Sequence, residues 1–132
     1  EIDLPTKPLN DINDPNGEIA LCTLSAVNWG SFKNPEDMEK ACTLAVRGLD
    51  ALLSYQNYPI IAAQMATENR RPLGVGIINL AFFLAKNDVS YSNPDALKLV
   101  DTWAQHWSYY LIKASADLAV EFGACPKNNE TK

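Results

Sequence analysis

The stretch from Asn93 to Gly123 constrains this chain more than any other. Asn93-Pro94-Asp95 supplies a capping side chain, a proline at the first helical position and an acid at the positive end of the helix dipole. The helix it opens is expected to run to about Phe122. Gly123 is a natural left-handed stop, and Pro126 follows shortly after. Trp103, Trp107, Tyr110, Leu111, Ala114 and Leu118 recur at helical spacing and make one apolar face. A helix of this length with a single aromatic stripe must be packed against other elements.

The same start recurs at Asn34-Pro35-Glu36-Asp37, and Met38, Ala41, Ala45, Leu49, Leu52 and Leu53 follow as an expected buried stripe. That helix is expected over 35–55 and must stop before Pro59. Pro72-Leu73-Gly74-Val75-Gly76 reads as a break leading into a third helix over 73–86, apolar nearly all round. Asn16-Gly17 closes a segment rich in proline, asparagine and aspartate, a strong turn signal. Ile19–Val27, short, apolar and partly β-branched, reads as a buried strand (about 19–28) with Cys22 at its centre. Glu1–Leu4 reads as the middle of another strand, which suggests an internal piece of a longer chain. The organisation is strand, loop, strand, then mainly helices.

Composition sets bounds. With 132 residues, 47% hydrophobic and 20% charged, the chain can bury a real core. A net charge of −5 leaves no basic footprint for nucleic acid. The longest apolar run, Val75–Ala85, is interrupted by Asn79 and is too short to span a bilayer. Three widely spaced cysteines make neither a disulfide framework nor a zinc site, and fit a reducing, cytoplasmic setting.

Few residues signal chemistry by themselves. Gly74-x-Gly76 lacks the third glycine of a dinucleotide fingerprint and reads as tight packing at a helix start. His106, between Trp103 and Trp107, has no ligand partners at helical spacing. Cys42 on a helix reads as a small apolar filler, Cys125 follows a helix stop, and Cys22 reads as core. Asn129-Glu130-Thr131 matches a glycosylation acceptor, a triplet common by chance.

Whole segments add a resemblance. Glu1–Asn10 is similar to the stretch just after the radical-bearing finger loop of class I ribonucleotide reductase large subunits. Gly17–Ala26 resembles the adjacent barrel strand with its redox cysteine, and Arg70–Ala81 resembles a downstream signature. Tyr109–Ala119, Gly123–Pro126 and Asn129–Thr131 match in the same order. The resemblance covers essentially the whole chain and is closest to the bacterial and phage type.

That resemblance implies an α/β fold: part of a ten-stranded α/β barrel, of which 1–132 would be a mainly helical piece with a few strands. It implies reduction of ribonucleoside diphosphates to deoxyribonucleotides by thiyl-radical chemistry. By position, Glu1 would be the substrate-binding carboxylate that takes the 3′-hydroxyl proton, and Cys22 a redox thiol whose disulfide partner lies outside the chain. Other implied components are nucleotide effectors (ATP, dNTP), a small radical-generating subunit with its metal/radical cofactor, thioredoxin or glutaredoxin as reductant, and a large-subunit homodimer. No cofactor is expected on this piece, which would be inactive alone. The rival reading is a non-enzymatic helical module whose apolar faces dock on a partner. The glycyl-radical branch is disfavoured, because a carboxylate at Glu1 is a feature of the aerobic type.

Overall fold

The computed structural model describes residue 11 and residues 14–130. Glu1 and the strand expected over 1–4 lie outside the described residues. The elements run β1 (Thr23–Asn28), α1 (Glu39–Tyr55), α2 (Ile61–Arg70), β2 (Leu73–Ile78), α3 (Leu80–Lys86) and α4 (Pro94–Phe122), with short 3-10 turns at Trp29–Ser31, Pro35–Met38 and Asn128–Glu130.

β1 and β2 pair in parallel, with Thr23 opposite Leu73 and Asn28 opposite Ile78. Parallel neighbours cannot be joined by a tight hairpin and need a long crossover. Here the crossover is α1 and α2. α1 packs on the strand pair and is in turn covered by α4, so the layers run sheet, α1, α4.

α4 begins as expected: the Asn93 side chain accepts from the Asp95 N–H at 2.9 Å, with Pro94 in the first turn. Gly123 ends it with φ +91°, its N–H donating to the Ala119 carbonyl. Pro35–Met38 and α1 form one continuous helical segment, started by the Asn34 N–H donating to Asp37. Its buried stripe is Met38, Cys42, Val46, Leu49 and Leu53. Met38, Leu49 and Leu53 of the expected stripe are buried, and Cys42 and Val46 take the places expected of Ala41 and Ala45. Ala41 and Ala45 are only partly covered and Leu52 is exposed, because the wider side chains of Cys42 and Val46 fill the space against α4.

Two corrections concern the middle of the chain. Residues 73–86 do not form one helix: Leu73–Ile78 is β2, and α3 starts only at Leu80. A short apolar run has no period to separate strand from buried helix. Two glycines weaken a helix there, and Val75, Ile77 and Ile78 favour the pleated alternative. Asn79, at φ 67° and ψ 28°, makes the corner between the two. α2 was not foreseen. No side chain caps its first turn, and it ends on Arg71 in the left-handed region where glycine is usual. Its place is fixed from outside: the Ile19 N–H donates to the Ala62 carbonyl and the Lys127 N–H to Asn69.

The main core joins Val27, Trp29, Met38, Cys42, Phe83, Leu84, Ala96 and Trp103. Phe83 is wedged between Trp103 and Trp29, with ring centroids 4.5 and 5.5 Å away. A second cluster, Val46, Ala114 and Leu118, holds α4 to α1.

Candidate functional site

The strand expected over 19–28 is shorter than anticipated, starting at Thr23, and Cys22 immediately precedes it. Cys22 is exposed, not core. The reason is alternation: Val27 is buried and Thr23 and Ser25 are partly buried beneath the helices, whereas Cys22, Leu24 and Ala26 are exposed. Helices cover one face of the strand pair, and among the described residues the other face is open.

The Cys22 thiol makes one weak contact, to the Thr23 carbonyl at 4.0 Å. It lies over Gly74 of β2, where an added Cβ would be 2.7 Å from the Cys22 sulfur. Gly74-x-Gly76 is therefore strand, not a helix start, and its glycines sit on the face that carries Cys22. Beyond the site, Asn28 and Asn79 meet at the carboxyl ends of β1 and β2, Asn79 Nδ2 donating to Asn28 Oδ1 at 3.2 Å. Asn28 Oδ1 also accepts from the Gly30 N–H at 3.1 Å.

The remaining candidates behave as surface or packing groups. Cys42 is fully buried, and burial raises its thiol pKa to about 11. Cys125 is partly buried after the end of α4. His106 Nδ1 lies 2.9 Å from the Thr102 carbonyl one turn earlier, and Nε2 faces Glu36 at 3.6 Å. Among the described residues, no group of three or more His, Cys, Asp or Glu could hold a metal ion, and no helix is long and apolar enough to cross a membrane.

Sequence reasoning missed a buried ionic cluster. Glu18 accepts from Arg70 Nη2 at 2.9 Å and from Lys127 at 2.6 Å, and Glu130 accepts from Arg70 at 3.2 Å. Burial works against the Arg70 charge, but its bonds to Glu18 and Glu130 outweigh that and raise its pKa. A sequence signal for this cluster does not exist, since its members are 52 and 109 positions apart. A cavity of about 770 Å³ between the ends of α1 and α4 is bordered by Arg47, Asp50, Arg71, Phe122 and Cys125. Its guanidiniums are matched: Arg47 donates twice to Glu121, holding that carboxyl below its ordinary range, and Arg71 pairs with Asp50.

Residues 1–132 match the family model described as "Ribonucleotide reductase, barrel domain". The chain belongs to that family. The ribonucleoside-diphosphate reductase subunit alpha of Haemophilus influenzae is 56% identical over 131 residues, and that of Buchnera aphidicola from Schizaphis graminum 52%; each alignment covers 99% of this chain and 17% of the relative. The chain thus spans about a sixth of the length of these relatives. A solved structure, the class Id ribonucleotide reductase alpha subunit of Actinobacillus ureae, superposes with a TM-score of 0.77 over 88% of this chain and 24% of that one, at 24% identity. The parallel strand pair with its helical crossover is thus a segment of the ribonucleotide reductase barrel domain.

Proposed function

We propose that this chain is a segment of the catalytic barrel of a ribonucleoside-diphosphate reductase large subunit, and that Cys22 is one of its two substrate-reducing thiols. One observation carries the assignment of Cys22. It alone among the three cysteines stands exposed on the open face of the strand pair, next to the first residue of β1 and excluded from the core. A two-electron reductant needs that setting: a fixed position, access to substrate and access to a second thiol.

The chemistry balances as follows. Two thiols, Cys22 and a partner outside this chain, give up two hydrogens in total. One replaces the substrate's 2′-hydroxyl, the other leaves with that hydroxyl as water, and a disulfide forms between the two sulfurs. A dithiol protein of the thioredoxin or glutaredoxin type then returns two electrons and two protons to the disulfide. Glu1 takes the 3′-hydroxyl proton as general base, a role assigned from its place in the sequence. The radical comes from a cysteine before Glu1 and a small partner subunit that holds the metal/radical cofactor. Nucleotide effectors (ATP, dNTP), a large-subunit homodimer and a cytoplasmic setting complete the proposal.

The test is deoxynucleotide formation by the full-length subunit with its radical-generating partner, comparing wild type with Cys22→Ser and Glu1→Gln. Both changes are expected to abolish multiple turnover while substrate and effector binding persist. Normal turnover of Cys22→Ser with a dithiol reductant would remove Cys22 from the mechanism.

A further inference from the structure

We infer that Gly74 is a positioning residue: the Cβ it lacks is the seat of the Cys22 thiol. The inference rests on the proposed redox role of Cys22.

Gly74 does not need to be glycine for its backbone. Its φ is not positive, and Gly123 is the only glycine with positive φ among the described residues. The reason is space. A Cβ at Gly74 would lie 2.7 Å from Cys22 Sγ and 2.5 Å from Leu24 Cδ2, far inside the roughly 3.5–4.0 Å of a normal contact. Leu24 can yield, because its methyl is the far end of a flexible, exposed side chain. Cys22 yields only by displacing its sulfur: that atom is one bond from Cβ, and a change of χ1 to another staggered well moves it by roughly 3 Å. Gly76, two residues on along the same face, is an internal contrast: a Cβ there meets nothing nearer than the Ser25 carbonyl at 3.9 Å. Of two glycines on one strand and one face, one is filled by a thiol and the other is open.

A displacement of this size matters for a thiol that must reach both substrate and a second sulfur, since errors near 1 Å can cost about 100-fold. In the full-length subunit, Gly74→Ala is expected to lower kcat about 100-fold with KM for the ribonucleotide unchanged. In the reduced resting subunit it is expected to change the alkylation rate of Cys22 about fivefold, because access to the thiolate is altered. Gly76→Ala is expected to match wild type in both readouts. If Gly74→Ala fails to fold, Gly74→Ala combined with Leu24→Ala removes the tighter contact, keeps the one to sulfur and is compared with Leu24→Ala alone. The inference is overturned if Gly74→Ala turns over and alkylates like Gly76→Ala, or if both are equally impaired. Should Cys22→Ser retain turnover, the redox reading fails by itself, and alkylation alone decides whether Gly74 seats the thiol.

Discussion

Arg70 Nη2 lies 2.9 Å from Glu18 Oε2, and the two side chains are only 4% and 3% exposed. The pair joins the approach to β1 to the end of α2, and Lys127 adds the tail after α4 to the same carboxylate at 2.6 Å. Three segments distant in sequence thus converge on one buried charge set. Neutralising one member leaves a buried ion poorly compensated.

Arg70→Leu is therefore expected to loosen this corner by about 3 kcal/mol. The reporters are two amides whose bonds tie the same segments to α2, Ile19 N–H to Ala62 and Lys127 N–H to Asn69. Their hydrogen exchange in the full-length subunit should speed up by roughly two orders of magnitude at that cost. Unchanged protection would mean that backbone packing alone holds the corner.

Cys42 gives a pH dependence with a definite sign. Burial raises its pKa from an ordinary 9.0 to about 11. Below pH 9 the thiol is neutral in both folded and unfolded chains, so its contribution is fully present. Between pH 9 and about 11 the unfolded chain sheds the proton first, and stability falls as pH rises. Thermal scans of the full-length subunit should show a steeper alkaline loss for wild type than for Cys42→Ala. Parallel slopes would show that Cys42 ionises as freely when folded. Alkylation at pH 8 should label Cys22 and spare Cys42.

Arg71 ends α2 at φ 46° and ψ 56°, a region that costs a non-glycine residue about 1 kcal/mol or more. The side chain offsets this by binding Asp50 and the Ser54 hydroxyl. Arg71→Ala keeps the strain and loses the bonds, whereas Arg71→Gly loses both. Glycine should therefore be the milder change, by about 1 kcal/mol in denaturant midpoints converted to free energy. If alanine is equal or better, the left-handed cap carries no strain.

These cases show what was legible in the sequence. α4 and α1 were readable because their starts and stops are local: an asparagine, a proline and acids at each start, then Gly123 after α4 and Pro59 after α1. The open-face location of Cys22 was not, because Ile19–Val27 looks uniformly apolar, and only the position of α1 decides which face is covered. β2 was hidden in an apolar run whose two glycines suggested a break when in fact one of them makes room for a sulfur. α2 was missed because its boundaries are set by bonds from residues 19 and 127. The roles proposed for Cys22 and Glu1 rest on resemblance across the whole chain, since neither residue has a local motif.

Asn79 offers the sharpest separation of backbone from side-chain effects. It occupies the left-handed region at φ 67°, between β2 and α3, and its amide donates to Asn28 at 3.2 Å. Asn79→Gly keeps the backbone comfortable and loses one hydrogen bond, about 1 kcal/mol. Asn79→Asp keeps size and shape but removes the donor, setting a carboxylate oxygen against the Asn28 carbonyl oxygen. That carbonyl is already held in place by the Gly30 N–H, so it cannot simply turn its own amide nitrogen toward the new charge without giving up the bond at 3.1 Å. The near-isosteric aspartate should therefore destabilise more than glycine, and the gap should shrink as the pH falls and the carboxyl regains a proton to donate. Chemical denaturation of the full-length variants at pH 7.5 and near pH 4, close to the ordinary aspartate pKa of about 3.9, checks both statements. A glycine variant weaker than the aspartate one at both values would show that the corner depends on side-chain bulk, not on the amide bond.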